Sequence, residues 1–128
     1  MQLNPDCIRD ILIVLEKQPF NHPLEFNDIL PLLPNHYDSD VVEYTSLKLK
    51  EAGFINAITS SDFEGNYLVS FIDITYSGHQ FLNNIHSDTV WSNVKEISKK
   101  VGSSSVSAIS QIATGVISAI IKSQLGLT

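Results

Sequence analysis

The residues best suited to catalysis or metal binding are few in this chain and lie far apart. His79 and His86 are seven positions apart near one predicted helix, which separates them by about 10 Å along its axis. That separation is too large for two ligands of one zinc ion. Cys7, the single cysteine, is predicted in the first turn of a core-facing helix, where it would be a small buried side chain. We therefore expect no catalytic residues, no metal site, no cofactor and no enzymatic activity.

Nucleic-acid binding would require exposed cations on a predicted third helix. The residues available there are Ser46, Lys48 and Lys50. Residues 1–86 contain four Lys and Arg residues against twelve Asp and Glu residues, whereas binding to phosphates depends on clustered cations. The acidic charge therefore disfavours DNA binding, which stays an alternative.

Carboxylates dominate the same helix and the hairpin that follows it. They are Asp38, Asp40, Glu43, Asp62 and Glu64. An acidic surface of this kind suits a protein partner better than a phosphate backbone. We expect these residues to contribute to a protein-interaction surface.

The chain is large enough to bury a core and is acidic as a whole. It has 128 residues, of which 43% are hydrophobic and 17% charged, and its formal net charge is −6. This composition predicts a folded domain. Its beginning lacks a basic-then-apolar signal peptide, and no run reaches about 18 consecutive apolar residues. We expect a cytoplasmic protein with no membrane partner.

Three helices are predicted in the first 53 residues. Asn4 followed by Pro5 and Asp6 is typical of a helix start, and Ile8, Ile11, Leu12 and Leu15 follow at helical spacing. A short second helix is predicted over Leu24 to Leu33, although Pro31 interrupts it. Asp38-Ser39 can cap a third helix, which Gly53 would end.

Alternating apolar residues then predict a β-hairpin. Its strands are Phe54–Thr59 and Tyr67–Ile74, and Asp62–Asn66 forms the tip. Thr75 would cap a fourth helix over Tyr76–Ile85, and Ser87-Asp88 a fifth over Thr89–Val101. Three helices followed by a hairpin and further helices are the order of a winged-helix domain. We therefore predict an α+β, mostly helical fold with a winged-helix-like core and additional C-terminal helices.

The last part of the chain has a different composition. Residues 1–86 would form the winged-helix-like domain, residues 87–101 a helix packed on it, residues 102–105 a linker, and residues 106–125 an amphipathic helix. The apolar stripe of that last helix must be covered, by its own domain or by a second copy. We expect a homo-oligomer formed through this stripe, whose members include Ile109, Ile112, Val116, Ile117, Ile120 and Ile121.

Two runs resemble a known family. Ile74-Thr75-Tyr76-Ser77-Gly78-His79-Gln80-Phe81-Leu82 and Asp88-Thr89-Val90-Trp91-Ser92-Asn93-Val94-Lys95 are similar to the patterns Leu-Thr-x-x-Gly-His-x-Phe-Leu and Asp-Thr-x-Trp-x-x-Val-Lys of the domain-of-unknown-function 2513 family. The turn Leu49–Ile55 and the helix carrying Ile8 and Arg9 are also similar. The resemblance implies a small bacterial, phage or prophage protein with a winged-helix-like core and no established activity.

Two functions are compatible with these patterns. The first is a non-enzymatic winged-helix module that binds a protein, for example a phage-encoded or prophage-encoded regulator or inhibitor of a host protein. The alternative is a DNA-binding transcriptional regulator that uses the third helix and the wing, which is the predicted β-hairpin. The sequence names no particular partner.

Overall fold

The order of helices and strands is that of a winged-helix domain with three helices added. A computed structural model describes residues 1–126. The core consists of α1 (Pro5–Lys17), β1 (Leu24–Glu25), α2 (Phe26–Ile29), α3 (Ser39–Glu51), β2 (Ile55–Asp62) and β3 (Gly65–Ile74). It is followed by α4 (Tyr76–Ile85), α5 (Asp88–Val101) and α6 (Val106–Gln124). The predicted fold class is confirmed.

Side-chain caps begin four of these helices. Asn4 accepts a hydrogen bond from the amide of Asp6, and Thr75 accepts one from the amide of Gly78. Ser87 and Ser105 accept from amides two or three positions inside α5 and α6. These bonds satisfy N–H groups that have no partner within a helix. The predicted starts of these four helices are therefore confirmed to within one residue, whereas Asp38 precedes α3 without a side-chain capping hydrogen bond.

The predicted second helix over Leu24 to Leu33 was wrong in extent. Leu24 and Glu25 form β1, which pairs with Phe71 and Ser70 of β3. α2 ends at Ile29, and Leu30–Leu32 forms a 3₁₀ turn. Pro31 has no N–H to donate, so an α-helix cannot continue through it undisturbed.

The three strands form an antiparallel sheet in the order β1-β3-β2. β2 is longer than predicted, and β3 starts at Gly65 rather than Tyr67. The register shifts twice, between Asn56 and Ala57 and between Ile58 and Thr59. Both shifts insert an extra residue into β3, namely Ile72 and Val69, and leave β2 without an insertion.

One hydrophobic core joins the helices to the inner face of the sheet. Its fully buried members include Ile8, Ile11 and Leu12 of α1, Leu49 of α3, Phe71 of β3 and Leu82 of α4. Trp91 of α5 is also buried. α1 is the central helix, because it contacts α3, α4 and β3.

α6 is half packed against the domain and half exposed. Val106, Ile109 and Ala113 are buried against α5 and α4, whereas the last turns project with Ile120 and Ile121 41% and 51% exposed. Ile109 is therefore already covered within the chain and was wrongly assigned to self-association. The partly buried Ile112, Val116 and Ile117 lie between these two regions.

The length and hydropathy of α6 are relevant to whether this helix could span a membrane. Val106–Gln124 is long and apolar enough to cross a membrane, with a mean hydropathy of 1.4. The core helix of a soluble protein can pass the same test, but such a helix is mostly buried, whereas only 17% of this stretch of α6 is buried. The expected absence of a membrane partner stays a prediction.

Candidate protein-interaction surface

α3 and the β2–β3 hairpin lie side by side and are joined by polar contacts. Glu43 accepts a hydrogen bond from the amide of Leu68 at 3.0 Å. Lys50 Nζ donates to Thr59 Oγ1 at 3.1 Å. We call the exposed residues of α3 and of this hairpin the α3–wing face. Six carboxylates and two lysines lie between residues 38 and 66.

Both lysines of the α3–wing face have partners within the chain. Lys48 Nζ lies 3.1 Å from Glu51 Oε2 and 5.4 Å from the ring centre of Tyr44. Lys50 contacts Thr59, as described above. Their positive charges are thus directed along the protein surface, and that of Lys48 is offset by a carboxylate one turn away.

Ser46 cannot reach a DNA groove. It is fully buried, and its hydroxyl donates to the carbonyl oxygen of Val42 at 2.7 Å. Thr45, also buried, donates to Val41 in the same way. A helical serine or threonine can satisfy its hydroxyl on the preceding turn and so tolerate burial. Ser46 was therefore wrongly assigned as a DNA-contacting residue.

Four of the five predicted acidic residues are exposed. Asp38 and Asp40 lie at the start of α3, and Asp62 and Glu64 lie at the hairpin tip. Asp62 Oδ1 accepts from the amide of Glu64 at 2.8 Å, which fixes the turn. Glu43 is instead half-buried and accepts from the amide of Leu68, so its assignment to the contact surface stays a prediction.

The tip also presents a side chain that sequence analysis missed. Phe63 is 97% exposed between Asp62 and Glu64. Surface aromatics can anchor a protein partner, and the two flanking carboxylates make this position unfavourable for a phosphate backbone. Its position in the tip, where a turn cannot bury its central side chains, was the available signal.

The first of the family-like runs positions α4. Thr75 donates to the carbonyl oxygen of Gly53 at 2.6 Å and accepts from the amide of Gly78 at 3.1 Å. A Cβ at Gly78 would lie 2.1 Å from the carbonyl oxygen of Phe54. Gly78 thus allows α4 to approach the α3–β2 turn closely, so this run has a structural role.

The second run joins α5 to α1. Asp6 Oδ1 accepts from Trp91 Nε1 and from Lys95 Nζ, each at 2.9 Å. Arg9 donates to the carbonyl oxygens of Ile85 and His86 and to Asp88. Partial burial raises the pKa of Asp6, but the bonds from Trp91 and Lys95 outweigh it and leave that pKa lowered.

Two buried side chains of α1, Cys7 and Asp10, could in principle be reactive. Burial raises the pKa of Cys7 to about 11, which keeps the thiol protonated and unreactive.

Asp10 accepts from Tyr37 at 2.7 Å and from Asn35 at 3.0 Å. Burial and this carboxylate raise the pKa of Tyr37 well above its usual value. These contacts attach the segment before α3 to α1.

A cavity of about 320 Å³ lies between the α1–β1 loop and the start of α4. Phe20, His22, Phe71, Asp73 and His79 contribute to its walls. The fold thus brings two histidines to one cavity, which their sequence spacing did not indicate. Within residues 1–126, no group of three or more His, Cys, Asp or Glu side chains is arranged to hold a metal ion.

The family that the two runs resemble is also the family that matches this chain. Residues 2–105 match the family described as hypothetical protein (DUF2513). An uncharacterized protein of Haemophilus influenzae is 36% identical over 119 residues, which are 92% of this chain and 97% of the relative. That span is longer than residues 1–105, so the similarity extends into α6.

A solved structure shares part of the arrangement. It is a proposed transcriptional regulator from Thermoplasma acidophilum, with 20% sequence identity and a TM-score of 0.45. The match covers 77% of this chain and 92% of that protein.

Proposed function

We propose that this chain, which belongs to the DUF2513 family, is a non-enzymatic winged-helix module that works by binding another protein. Its contact surface is the α3–wing face, with Asp38 and Asp40 at one end and Asp62 and Glu64 at the other. The partner is a protein with a basic surface. Such a module can act as a regulator or inhibitor in the cytoplasm of a bacterial host, including one encoded by a phage or prophage.

The observation that carries this proposal is that both lysines of the α3–wing face have partners within the chain. Lys48 is paired with Glu51, and Lys50 is bound to Thr59, whereas four carboxylates of the same face point to solvent. Between Lys50 and Lys95 the chain contains no lysine or arginine. The potential of this face is therefore negative, which repels phosphates and attracts cations.

The second candidate is DNA binding, and the fold itself favours it. Winged-helix domains can place the third helix in the major groove and the wing on the neighbouring backbone. Of the three residues first considered for this role, Lys48 and Lys50 remain at the surface. A DNA-binding function would place these two cations against a phosphate backbone beside the four exposed carboxylates of the same face.

Charge reversal on the wing separates the two functions. The variant carries Asp62→Lys and Glu64→Lys, and the matched control carries Glu16→Lys and Glu96→Lys on α1 and α5. Binding of labelled duplex DNA is measured by fluorescence anisotropy at low and moderate salt. We expect no saturable DNA binding by the wild type and salt-sensitive binding gained by the wing variant alone. Saturable binding by the wild type that is lost on Lys48→Ala and Lys50→Ala would support the DNA function.

Self-association through the exposed end of α6 is the remaining part of the proposal. Ile120 and Ile121 are apolar, exposed and continuous with the buried stripe of the same helix. Two such ends packed together would remove them from water. Light scattering on the full chain tests this, since a monomer at all concentrations would exclude it.

A further inference from the structure

The outer edge of β2 is an unprotected strand. β2 pairs with β3 over its whole length, and no other strand in residues 1–126 pairs with its opposite edge. Natural edge strands are commonly protected by proline, by lysine or by a bulge. The sequence of β2 contains no proline and no lysine, and both bulges of the hairpin lie in β3. The edge therefore offers eight residues of extended backbone.

An apolar surface adjoins this edge. Ile58 of β2 is 51% exposed on the outer face of the sheet, and the two bulge residues Val69 and Ile72 are each more than a third exposed nearby. The inner face of the strand is formed by Ile55 and Ala57, which turn toward the core. A segment added at the edge could thus cover apolar side chains as well as pair its backbone.

The charges around the edge indicate the chemistry of the partner. Asp62 ends the strand, and Glu64 follows in the tip, without a lysine or arginine on the hairpin. Asp73 of β3 is bound to Asn56 Nδ2 at 2.8 Å on the outer face. Lys50 is the near cation, and it reaches Thr59 from α3, on the inner side. An added strand would therefore meet apolar groups and carboxylates.

We infer that β2 binds an extended segment of another protein as a fourth strand, and that this segment carries both apolar residues and lysine or arginine on its outward face, at every second position. This inference rests on the proposed function and names its partner more closely. Backbone hydrogen bonds would supply affinity, and Ile58 with the nearby carboxylates would supply selectivity. A lipid surface is disfavoured, since anionic headgroups would be repelled by the same carboxylates.

The test uses a short end-capped peptide in which valine and lysine alternate at every second position, with threonine between them, and binding is followed by fluorescence anisotropy. One control peptide has methyl groups on alternate backbone nitrogens and so cannot pair as a strand. A second has glutamate in place of lysine. The full chain is compared with Ile58→Lys, which protects the edge, and with Tyr76→Lys, which adds the same charge at an exposed site on α4.

We expect the alternating peptide to bind the wild type and Tyr76→Lys within about twofold of each other, and Ile58→Lys at least about tenfold more weakly. Hydrogen exchange should slow at the amides of β2 when the peptide binds. Equal binding of the methylated peptide, or no binding of either peptide, would overturn the inference. If DNA binding is nevertheless gained only by the Asp62→Lys, Glu64→Lys variant, the acidic α3–wing face is still supported. Failure of strand addition and failure of the proposed function can therefore be distinguished.

Discussion

Trp91 Nε1 donates a 2.9 Å hydrogen bond to Asp6 Oδ1, and thereby joins α5 to the first turn of α1 across 85 positions of sequence. Lys95 Nζ binds the same oxygen, and both Lys95 and Arg9 lie within 6 Å of the indole ring centre. The carboxylate also lies in the first turn of α1, where a negative charge is favourable. This cluster orients the added helices on the winged-helix core.

Replacing Asp6 by Ala should lower the free energy of unfolding by about 1–3 kcal/mol, because it leaves the buried indole N–H without its acceptor. Asp88→Ala is the matched control. Its side chain is 95% exposed, so losing its ion pair with Arg9 should cost less than about 1 kcal/mol. Urea unfolding measures both, and equal losses would contradict the role assigned to Asp6.

Cys7 should make the fold sensitive to alkaline pH. The pKa of its thiol is about 11 in the folded chain, above the ordinary value of 9.0, because burial disfavours the thiolate. The stability that this group contributes is therefore complete below pH 9.0 and is lost as pH rises toward 11. Melting temperatures of the wild type should fall more steeply above pH 9.0 than those of Cys7→Ala. Parallel curves, or rapid reaction of the native thiol with a disulfide reagent at neutral pH, would show that Cys7 is not buried.

Gly78→Ala should be among the most destabilising single-methyl changes in the chain. Its Cβ would lie 2.1 Å from the backbone oxygen of Phe54, which cannot move without shifting the α3–β2 turn. We expect a loss of about 3 kcal/mol. Gly115→Ala on α6 is the control, since nothing lies within 4 Å of its Cβ position and helix propensity predicts a gain of about 0.5–1 kcal/mol. Similar effects of both changes on thermal unfolding would rule out the close contact.

Much of this fold is encoded locally, which is why the helix starts could be predicted. Thr75 and Ser87 are followed by amides that their side chains can bind, and this information lies within three residues of each cap. β1 could not be predicted in the same way. Its two residues, Leu24 and Glu25, have no periodicity of their own and are defined by pairing with β3 almost fifty positions later.

The α3–wing face could likewise be predicted only in part from the sequence. Its negative charge could be counted from the sequence, and Asp62 and Glu64 are exposed as expected. The burial of Ser46 and the partial burial of Glu43 could not be predicted, because they depend on which face of α3 meets the sheet. Polar residues at buried positions break the apolar periodicity on which that choice rests. Ile58 was placed in a strand, but its exposure follows from the sheet having one covered face.

Truncation should divide α6 into two functional halves. A chain ending at residue 117 keeps the buried Val106, Ile109 and Ala113, so we expect unfolding close to that of the full chain and a monomeric mass by light scattering. A chain ending at residue 105 uncovers the apolar surfaces of α4 and α5 and should lose roughly 3 kcal/mol or more. An oligomer that persists after truncation at 117 would place self-association elsewhere.

The central claim is that the wing contacts a protein rather than a nucleic acid. The most direct measurement places a photo-crosslinking amino acid at position 63, at the exposed tip, and a control at Asn93 on α5, with irradiation in the native host. If the wing contacts a protein, we expect a protease-sensitive, nuclease-resistant adduct at position 63 that is absent at position 93. An adduct at position 63 that nuclease removes, or identical adducts at both positions, would contradict it.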